Sequence, residues 1–134
     1  MEATLDINPC QVADVLPLLA TLTRPKTDTS GGLATVQDFF AHSQVFKVTH
    51  NGQTVGAYAV DPQAFDRGIC LWVQGLTGHI DGIDLTRTME KVVTAQAQQI
   101  GARQVATLTK RRGLIRKLVA CGWTVAGVKL VKKI

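Results

Sequence analysis

The sequence lacks long apolar runs, closely spaced cysteines and a basic leading segment. No apolar stretch approaches the ~18 residues that a membrane-spanning helix needs. Near the start, no basic region is followed by an apolar stretch, so we expect no signal peptide. These absences predict a cytoplasmic protein without a membrane span.

Cysteine and histidine are scarce as well. The three cysteines, Cys10, Cys70 and Cys121, are far apart and form no C-x-x-C pair. Scattered cysteines in an odd number predict free thiols that are buried as small apolar side chains, not a disulfide framework. The three histidines have no metal-ligand spacing, so we expect no metal site.

What is present suffices for one folded domain. Apolar residues make up 46% of the 134 residues and charged residues 19%, which is typical of a chain that builds a core. A domain of this length buries roughly two-thirds of its unfolded surface and needs no disulfide or metal to fold. We therefore predict a single domain over residues 1–134.

The basic residues are concentrated late in the sequence. The formal net charge is +5, yet residues 101–134 hold nine Lys and Arg and no acidic residue, so residues 1–100 are net acidic. This asymmetry predicts an anionic partner for the C-terminal third: a phosphate-bearing cofactor, a nucleic acid or the acidic surface of another protein. A solvated basic face without a partner is the alternative.

The first 22 residues predict a strand followed by a helix. Residues 4–7 alternate as in a strand, and Asn8-Pro9 is typical of a helix start because Asn caps well and Pro suits the first helical position. Apolar residues at helical spacing extend the helix to about residue 22. Pro17 lies inside it and should kink the helix or split it in two.

A polar loop and a hairpin follow. Residues 24–32 (RPKTDTSGG) are rich in turn formers and predict a loop, and Thr35 is placed to cap a short helix that ends near residue 42. Strands over 45–50 and 53–60 flank Asn51-Gly52, which is a strong two-residue hairpin signal. Asp61-Pro62 should end the second strand.

The second half predicts a change from hairpins to a β-α-β arrangement. A strand over 68–77 contains Gly75, which indicates a bulge or a close backbone approach. Asp84 should cap a helix that runs to about residue 100 and ends at Gly101. The remaining elements are a strand over 104–109, a helix over 112–121 that ends at Gly122, and a strand-like segment over 123–134.

The predicted order is therefore β-α-α-β-β-β-α-β-α-β. It indicates an α/β protein with one mixed sheet and helices on both faces. Because a helix connects them, the strands over 68–77 and 104–109 should be parallel neighbours joined by a right-handed crossover.

This order resembles the GNAT superfamily of acetyl-CoA-dependent N-acetyltransferases. The likeness is most specific from residue 84 onward, where Gly101-Ala102, the strand QVATLT, the helix RGLIRKLVAC and the pair Gly122-Trp123 follow one another. The resemblance implies a V-shaped opening between two splayed parallel strands, 68–77 and 104–109, in which acyl-CoA binds.

The resemblance also implies roles for particular residues. The pantetheine arm of acetyl-CoA would pair with the strand backbone around Val73, Gly75 and Leu76, and its phosphates would bind at the following turn, where Gly82 lies. In this sequence three arginines would supplement that phosphate site. These are Arg111, Arg112 and Arg116.

The family motifs are degenerate here, and the catalytic residues stay unassigned. The phosphate loop of the family falls on residues 81–86, where Asp81 and Asp84 would repel a pyrophosphate, and Asp84 is better explained as a plain helix cap. The tyrosine that often protonates the leaving thiolate in the family falls on Leu118. Neither glutamate, Glu2 or Glu90, lies on the splayed strand where a base is expected.

Two interpretations follow from these departures. The first is an acetyltransferase that moves an acetyl group from acetyl-CoA to an amine entering over residues 24–32. The second is a catalytically inactive GNAT-fold subunit with a structural or assembly role, such as an internal virion core protein of a bacteriophage, located in the virion. In that case the basic C-terminal third would meet another protein or a nucleic acid, and a homo-oligomer is compatible with either interpretation.

Overall fold

The computed structural model describes residues 4–134 and contains one five-stranded sheet with helices on both faces. The elements are β1 (Asp6–Cys10), a 3-10 turn (Val12–Val15), α1 (Leu16–Leu19), a second 3-10 turn (Ala20–Thr23), α2 (Val36–Phe40), β2 (Gln44–His50), β3 (Gln53–Phe65), β4 (Gly68–Gly78), α3 (Leu85–Gln99), β5 (Gln104–Thr107) and α4 (Arg112–Ala120). The predicted α/β class and the mixed sheet are confirmed.

The sheet order is β1-β2-β3-β4-β5, with β1 to β4 antiparallel and β4 parallel to β5. The predicted hairpin joins β2 and β3. Asn51 and Gly52 both take positive φ, 51° and 77°, as the favoured two-residue hairpin turn requires. The predicted parallel neighbours are also confirmed, because α3 connects β4 to β5.

Each face of the sheet buries its own core. Alternate strand residues point to opposite faces, so Tyr58 and Val60 of β3 pack towards α3, whereas Ala57 and Ala59 pack towards α1 and α2. The α3 side is centred on Met89, which is fully buried. The two layers of helices thus hold β3 and β4 rigidly between them.

Most helix ends follow the predicted signals. The Thr35 hydroxyl accepts a hydrogen bond from the Asp38 backbone N–H, and the Asp84 carboxylate accepts one from that of Arg87. α3 and α4 end shortly before Gly101 and Gly122, as expected. Pro17 splits the first helical region, which consists of one turn of α-helix between two 3-10 turns.

The predicted helix start at Asn8-Pro9 is wrong. Both residues belong to β1, where Pro9 is paired with Phe46 of β2. Proline is tolerated there because β1 is an edge strand. An N–H that is missing on the outer side of an edge strand removes no hydrogen bond between strands. The helical region begins at Val12 instead, and the strand lies two to three residues later than predicted.

The predicted end of β3 at Asp61-Pro62 is also wrong, since the strand continues to Phe65. β2 accompanies β3 only as far as Val60, and beyond that point β4 is its single partner. Pro62 therefore lies on a locally unpaired edge, which is where strands accept proline.

The predicted strand over residues 123–134 does not form. These residues have no regular secondary structure, and except for Trp123 they are exposed. Strand-forming side chains are present, but no neighbouring strand pairs with them, and pairing is what stabilises a strand. β5 is likewise shorter than predicted and ends at Thr107.

The three cysteines are free thiols, but only Cys70 is buried. Cys121 is exposed because it is the residue that follows the last turn of α4. In the described part of the chain, no helix is both long and apolar enough to cross a bilayer. Among the same residues, no cluster of His, Cys, Asp and Glu has the composition of a metal site.

Candidate functional site

The candidate site is a cleft that opens where β4 and β5 part. The two strands pair from Cys70–Gln104 to Val73–Thr107 and no further. The Thr107 hydroxyl donates a hydrogen bond to the Val73 carbonyl at 2.8 Å, at the last residue pair of the two strands. β4 continues to Gly78 without a partner on this side, so its backbone borders an open wedge, which we call the β4–β5 cleft.

The lining of the β4–β5 cleft is mostly apolar, with hydroxyl groups and one charge of each sign, Arg111 and Glu90. The other lining residues are Leu22, Thr27, Thr29, Phe39, Val73, Gln74, Gly75, Leu76, Thr86, Met89, Val93, Thr107, Leu108, Thr109, Leu114, Leu118 and Trp123. An apolar cleft with a few placed polar groups is the usual form of a small-molecule site.

Four of the seven residues predicted to bind a cofactor meet in this cleft. Val73, Gly75 and Leu76 line it from β4, and Arg111 lines it from the start of α4. The other three lie outside the lining. Gly82 belongs to the exposed turn before α3, and Arg112 and Arg116 point from α4 into solvent.

A β-bulge shapes the wall of the cleft at Gly75. Ala59 pairs with Gly75 and Val60 with Val73, so Gln74 is the extra residue on β4. A side-chain carbon at Gly75 would overlap the Cδ1 atom of Leu22. The sequence predicted a bulge or a close backbone approach at Gly75, and both are present. β4 bulges here, and another element approaches its backbone closely.

Glu90 is a carboxylate that the sequence analysis named but did not assign to the site. It lies on α3, not on the splayed strand, yet it faces the cleft. Its Oε1 atom accepts hydrogen bonds from the Trp123 indole N–H at 3.1 Å and from the Thr94 hydroxyl at 3.2 Å. The available signal was its position on the helix, one residue after Met89 and three before Val93, beside the buried stripe.

The N-terminus of α3 is already occupied by a carboxylate of the chain itself. Asp84 accepts from the Arg87 backbone N–H at 3.2 Å and from the Lys117 ammonium at 3.3 Å. Desolvation raises the pKa of Asp84, but these two donors outweigh it and hold the pKa below its ordinary value. The predicted cap is confirmed, and the same carboxylate also ties α3 to α4.

The loop over residues 24–32 borders the cleft through Thr27 and Thr29. Asp28 holds this loop in shape: its carboxylate accepts from the Ser30 amide and hydroxyl at 2.8 and 2.7 Å, and from the Gly32 amide at 2.8 Å. The Ser30 hydrogen bonds lower the pKa of Asp28. The Lys129 ammonium donates to the Thr29 carbonyl, so the C-terminal segment touches the same loop.

No tyrosine lines the cleft. Leu118 lines the cleft at the position where the family resemblance would place a tyrosine. The single tyrosine, Tyr58, is buried in the core beneath α3, and burial raises its pKa to about 12. The cleft therefore offers a carboxylate and an arginine, but no phenol, to a reaction.

The comparisons with known proteins agree with this geometry. No protein-family model matches the chain, and no curated protein matches it. Solved structures do: a ribosomal-protein-alanine N-acetyltransferase from Brucella melitensis biovar Abortus 2308 has a TM-score of 0.70 at 17% identity, over 98% of this chain and 99% of its own.

Two further neighbours are similar over almost the full length. Glucosamine-6-phosphate N-acetyltransferase from Arabidopsis thaliana has a TM-score of 0.67 at 14% identity and covers 97% of this chain and 98% of its own. AAC(6')-Iy, solved with the bisubstrate analogue CoA-S-monomethyl-acetylneamine, has a TM-score of 0.64 at 15% identity over 98% and 99% of the two chains. The chain thus has the GNAT fold, in a divergent form.

Proposed function

We propose that the protein binds acetyl-CoA in the β4–β5 cleft and transfers the acetyl group to an amine. One observation carries the proposal: beyond the Val73–Thr107 pair, the β4 backbone is free on the cleft side. Free strand N–H and C=O groups pair with an extended amide-containing chain as they would with a neighbouring strand. The pantetheine arm of acetyl-CoA is such a chain, and Gln74, Gly75 and Leu76 would hold it.

Arg111, the residue before α4, fits the anionic end of this ligand. Arg111 lines the cleft, while Arg112 and Arg116 are exposed one turn apart on the outside of the same helix. An arginine fork is well suited to phosphate oxygens. The phosphates would therefore rest on α4 more than on the start of α3, where the Asp84 carboxylate opposes them.

The groups of the cleft also fit amine acylation. A neutral amine attacks the thioester carbon of acetyl-CoA, the carbon–sulfur bond breaks and the amine nitrogen gives up a proton. CoA leaves as the thiolate, which takes up a proton from water to become the free thiol. Glu90 is the carboxylate available in the cleft to accept the amine proton, directly or through one water. Thr27 and Thr29 place the 24–32 loop at the edge of the cleft, so an amine would enter beside this loop.

Titration calorimetry with acetyl-CoA tests the proposal, with two neighbouring arginines as a matched pair. Arg111→Ala should weaken binding roughly 10- to 150-fold, since a charge-assisted hydrogen bond to phosphate contributes ~1.5–3 kcal/mol. Arg112→Ala, which removes the same charge one residue away but outside the cleft, should weaken it much less. Release of free CoA thiol in the presence of a panel of primary amines then tests transfer.

A second function, a GNAT-fold protein without catalysis, is favoured by the carboxylate at the α3 N-terminus. Asp84 fills the place where the fold would otherwise expose free N–H groups to an anion. Such a protein would act as a structural or assembly subunit, for example inside a bacteriophage virion, with its basic third on another macromolecule. No heat of binding with acetyl-CoA at millimolar concentration would favour this function over acyl transfer.

A further inference from the structure

Among the described residues, Glu90 is the one acidic side chain that lines the β4–β5 cleft. Its Oε1 atom accepts a hydrogen bond from the Trp123 indole N–H at 3.1 Å and another from the Thr94 hydroxyl at 3.2 Å. No donor within residues 4–134 reaches the other oxygen, Oε2. Since a carboxylate has acceptor sites on both oxygens, the chain holds one oxygen of Glu90 and leaves the other available in the cleft.

The end of α4 fixes the place of the Trp123 ring. Gly122 takes a positive φ of 97°, which glycine adopts without strain, and the chain turns back on the helix there. The Trp123 backbone N–H then donates to the Leu118 carbonyl at 3.0 Å. Trp123 is therefore held to the last turn of α4 by its backbone and to Glu90 by its side chain.

The contact between Glu90 and Trp123 also joins two helices. Glu90 belongs to the second turn of α3, and Trp123 follows the end of α4. The ion pair between Asp84 and Lys117, at 3.3 Å, joins the same two helices at the start of α3. With two contacts at different heights along α3, the helices are held against each other, and the Glu90 carboxylate has a fixed neighbour.

We propose that Trp123 is a positioning residue for Glu90: the indole N–H holds Oε1, so that Oε2 is presented to the amine. The inference rests on the proposed function, in which Glu90 accepts the proton of that amine. As the nitrogen–carbon bond forms and the carbon–sulfur bond breaks, the proton passes from the nitrogen to Oε2, and Glu90 later releases it to solvent. The leaving thiolate takes its own proton from water.

A glutamate needs such a donor because its side chain is long and rotates freely unless something holds it. The surroundings of Glu90 in the cleft are mostly apolar, so few other groups can orient it. An N–H bond to an ionised carboxylate is among the stronger side-chain hydrogen bonds and has a defined direction. Loss of this bond should matter for the rate, since a displacement of about 1 Å can slow a reaction about 100-fold.

Trp123→Phe tests the proposal, because it removes the N–H and keeps an aromatic ring in the cleft. Measured by release of CoA thiol, kcat should fall about 10- to 100-fold, while the calorimetric Kd for acetyl-CoA should change little. In a Glu90→Gln background, where the base is already absent, Trp123→Phe should lower kcat no further. A ring with a merely structural role would lower kcat by the same factor in both backgrounds.

Two threonines of α3 provide a matched control. Thr94→Val removes the second donor to the Glu90 Oε1 atom and should lower kcat by a smaller factor than Trp123→Phe, because the indole N–H still holds the carboxylate. Thr88→Val makes the same change on the same helix, but the Thr88 hydroxyl donates to the Asp84 carbonyl and lies outside the cleft lining. It should leave kcat unchanged, and circular dichroism should show both variants folded.

Nuclear magnetic resonance of the indole N–H groups tests the contact without turnover. The chain has two tryptophans, and Trp123→Phe identifies the Trp123 resonance. Glu90→Gln should move that resonance upfield, because an amide oxygen accepts more weakly than a carboxylate, and should leave the Trp72 resonance in place.

An unmoved Trp123 resonance would overturn the positioning role, and so would a Trp123→Phe protein with full kcat or with equal losses in both backgrounds. Each of these results, in a wild type that acetylates amines, leaves the proposed function standing. A wild type that neither binds acetyl-CoA nor releases thiol would overturn the proposed function, and the positioning role with it.

Discussion

Tyr58 places a hydroxyl in the core beside the Gln96 side chain, without the geometry of a hydrogen bond. Its side chain is fully buried and stacks on Phe46 with ring centroids 5.1 Å apart. Neither its hydroxyl nor the Oε1 atom of Gln96 has a hydrogen-bond partner. Burial raises the pKa of Tyr58 to about 12, and the Gln96 side chain nearby lowers it less. The hydroxyl thus opposes the stability that the ring provides.

Tyr58→Phe should therefore leave stability unchanged or raise it by about 1 kcal/mol, because it removes an unsatisfied buried group and keeps the ring. Urea unfolding measures the change. Tyr58→Leu is the control, since it removes the stacked ring too and should cost about 1–3 kcal/mol. A clear loss of stability in Tyr58→Phe would mean that the hydroxyl is hydrogen-bonded in the folded protein.

Gly75 both lines the β4–β5 cleft and packs against Leu22. Gly75→Ala places a carbon against Leu22, so the leucine has to move and the protein should lose about 1–3 kcal/mol. Thermal unfolding of Gly75→Ala, Leu22→Ala and the double variant gives the coupling free energy between the two positions. The double variant should lose less stability than the two single losses added together.

Gly113→Ala is the matched control for that measurement. Gly113 lies in α4 with open space around its Cα, and its φ is not positive. Gly113 is in the first turn of α4. Alanine there should leave stability unchanged or raise it by up to roughly 0.5–1 kcal/mol, since replacing glycine lowers the conformational entropy of the unfolded chain. If Gly75→Ala were as harmless as Gly113→Ala, Leu22 would not be packed against β4 as described.

At the scale of elements, turns, caps and the parallel pair β4–β5 were predicted correctly, whereas the ends of several strands were not. The hairpin turn at Asn51-Gly52 and the caps at Thr35 and Asp84 depend on residues within four positions, so the sequence shows them directly. The continuation of β3 through Pro62 depends on which strands flank it: β2 ends its pairing at Val60, and β4 alone accompanies Pro62, through Leu71. No pattern of neighbouring residues contains that information.

The candidate site shows the same division. Gly75 was identifiable because a glycine within a strand is a local anomaly. Glu90 was set aside because its contact with Trp123, a residue 33 positions further along the chain, is not visible in the sequence. Likewise the last segment has the side chains of a strand, and only the absence of a neighbour in the fold leaves it irregular.

The loop over residues 24–32 should depend on pH through Asp28. Hydrogen bonds from Ser30 lower the pKa of Asp28 in the folded state. The stabilisation is therefore fully present above the ordinary carboxyl pKa, and it is lost as pH falls through the lowered value. At neutral pH the loop should be held in place, and at strongly acidic pH it should loosen.

Nuclear magnetic resonance measures this directly. The amide protons of Ser30 and Gly32 should shift together as Asp28 titrates, below the ordinary carboxyl range of about pH 4. In Asp28→Asn the same protons should show no such titration, because the side chain no longer ionises. A midpoint at or above the ordinary value would contradict the hydrogen bonding of this loop.

At the scale of the whole molecule, the sheet topology and the charge distribution converge on one region. The crossover through α3 brings β5 beside β4, and their divergence after Val73 opens a cleft between two helices. Residues 101–134 supply α4 and the basic side chains around that cleft. The acidic groups Asp84 and Glu90 come from α3, so the cleft lies where the two halves of the charge distribution meet.

Asp84 is the charge whose removal tests whether this region receives an anion. Asp84→Asn removes the charge and keeps a good helix cap, and it frees Lys117 from its ion pair. If the cleft binds acetyl-CoA, calorimetry should show the affinity rise about 5–10-fold at low salt, since removing a like charge near phosphates is worth on the order of 1 kcal/mol. Asp66→Asn, in the exposed turn between β3 and β4, should leave the affinity unchanged. If neither wild type nor Asp84→Asn develops a heat of binding, the Asp84 carboxylate is not what prevents binding. That result would rule out acyl transfer in favour of a GNAT-fold scaffold.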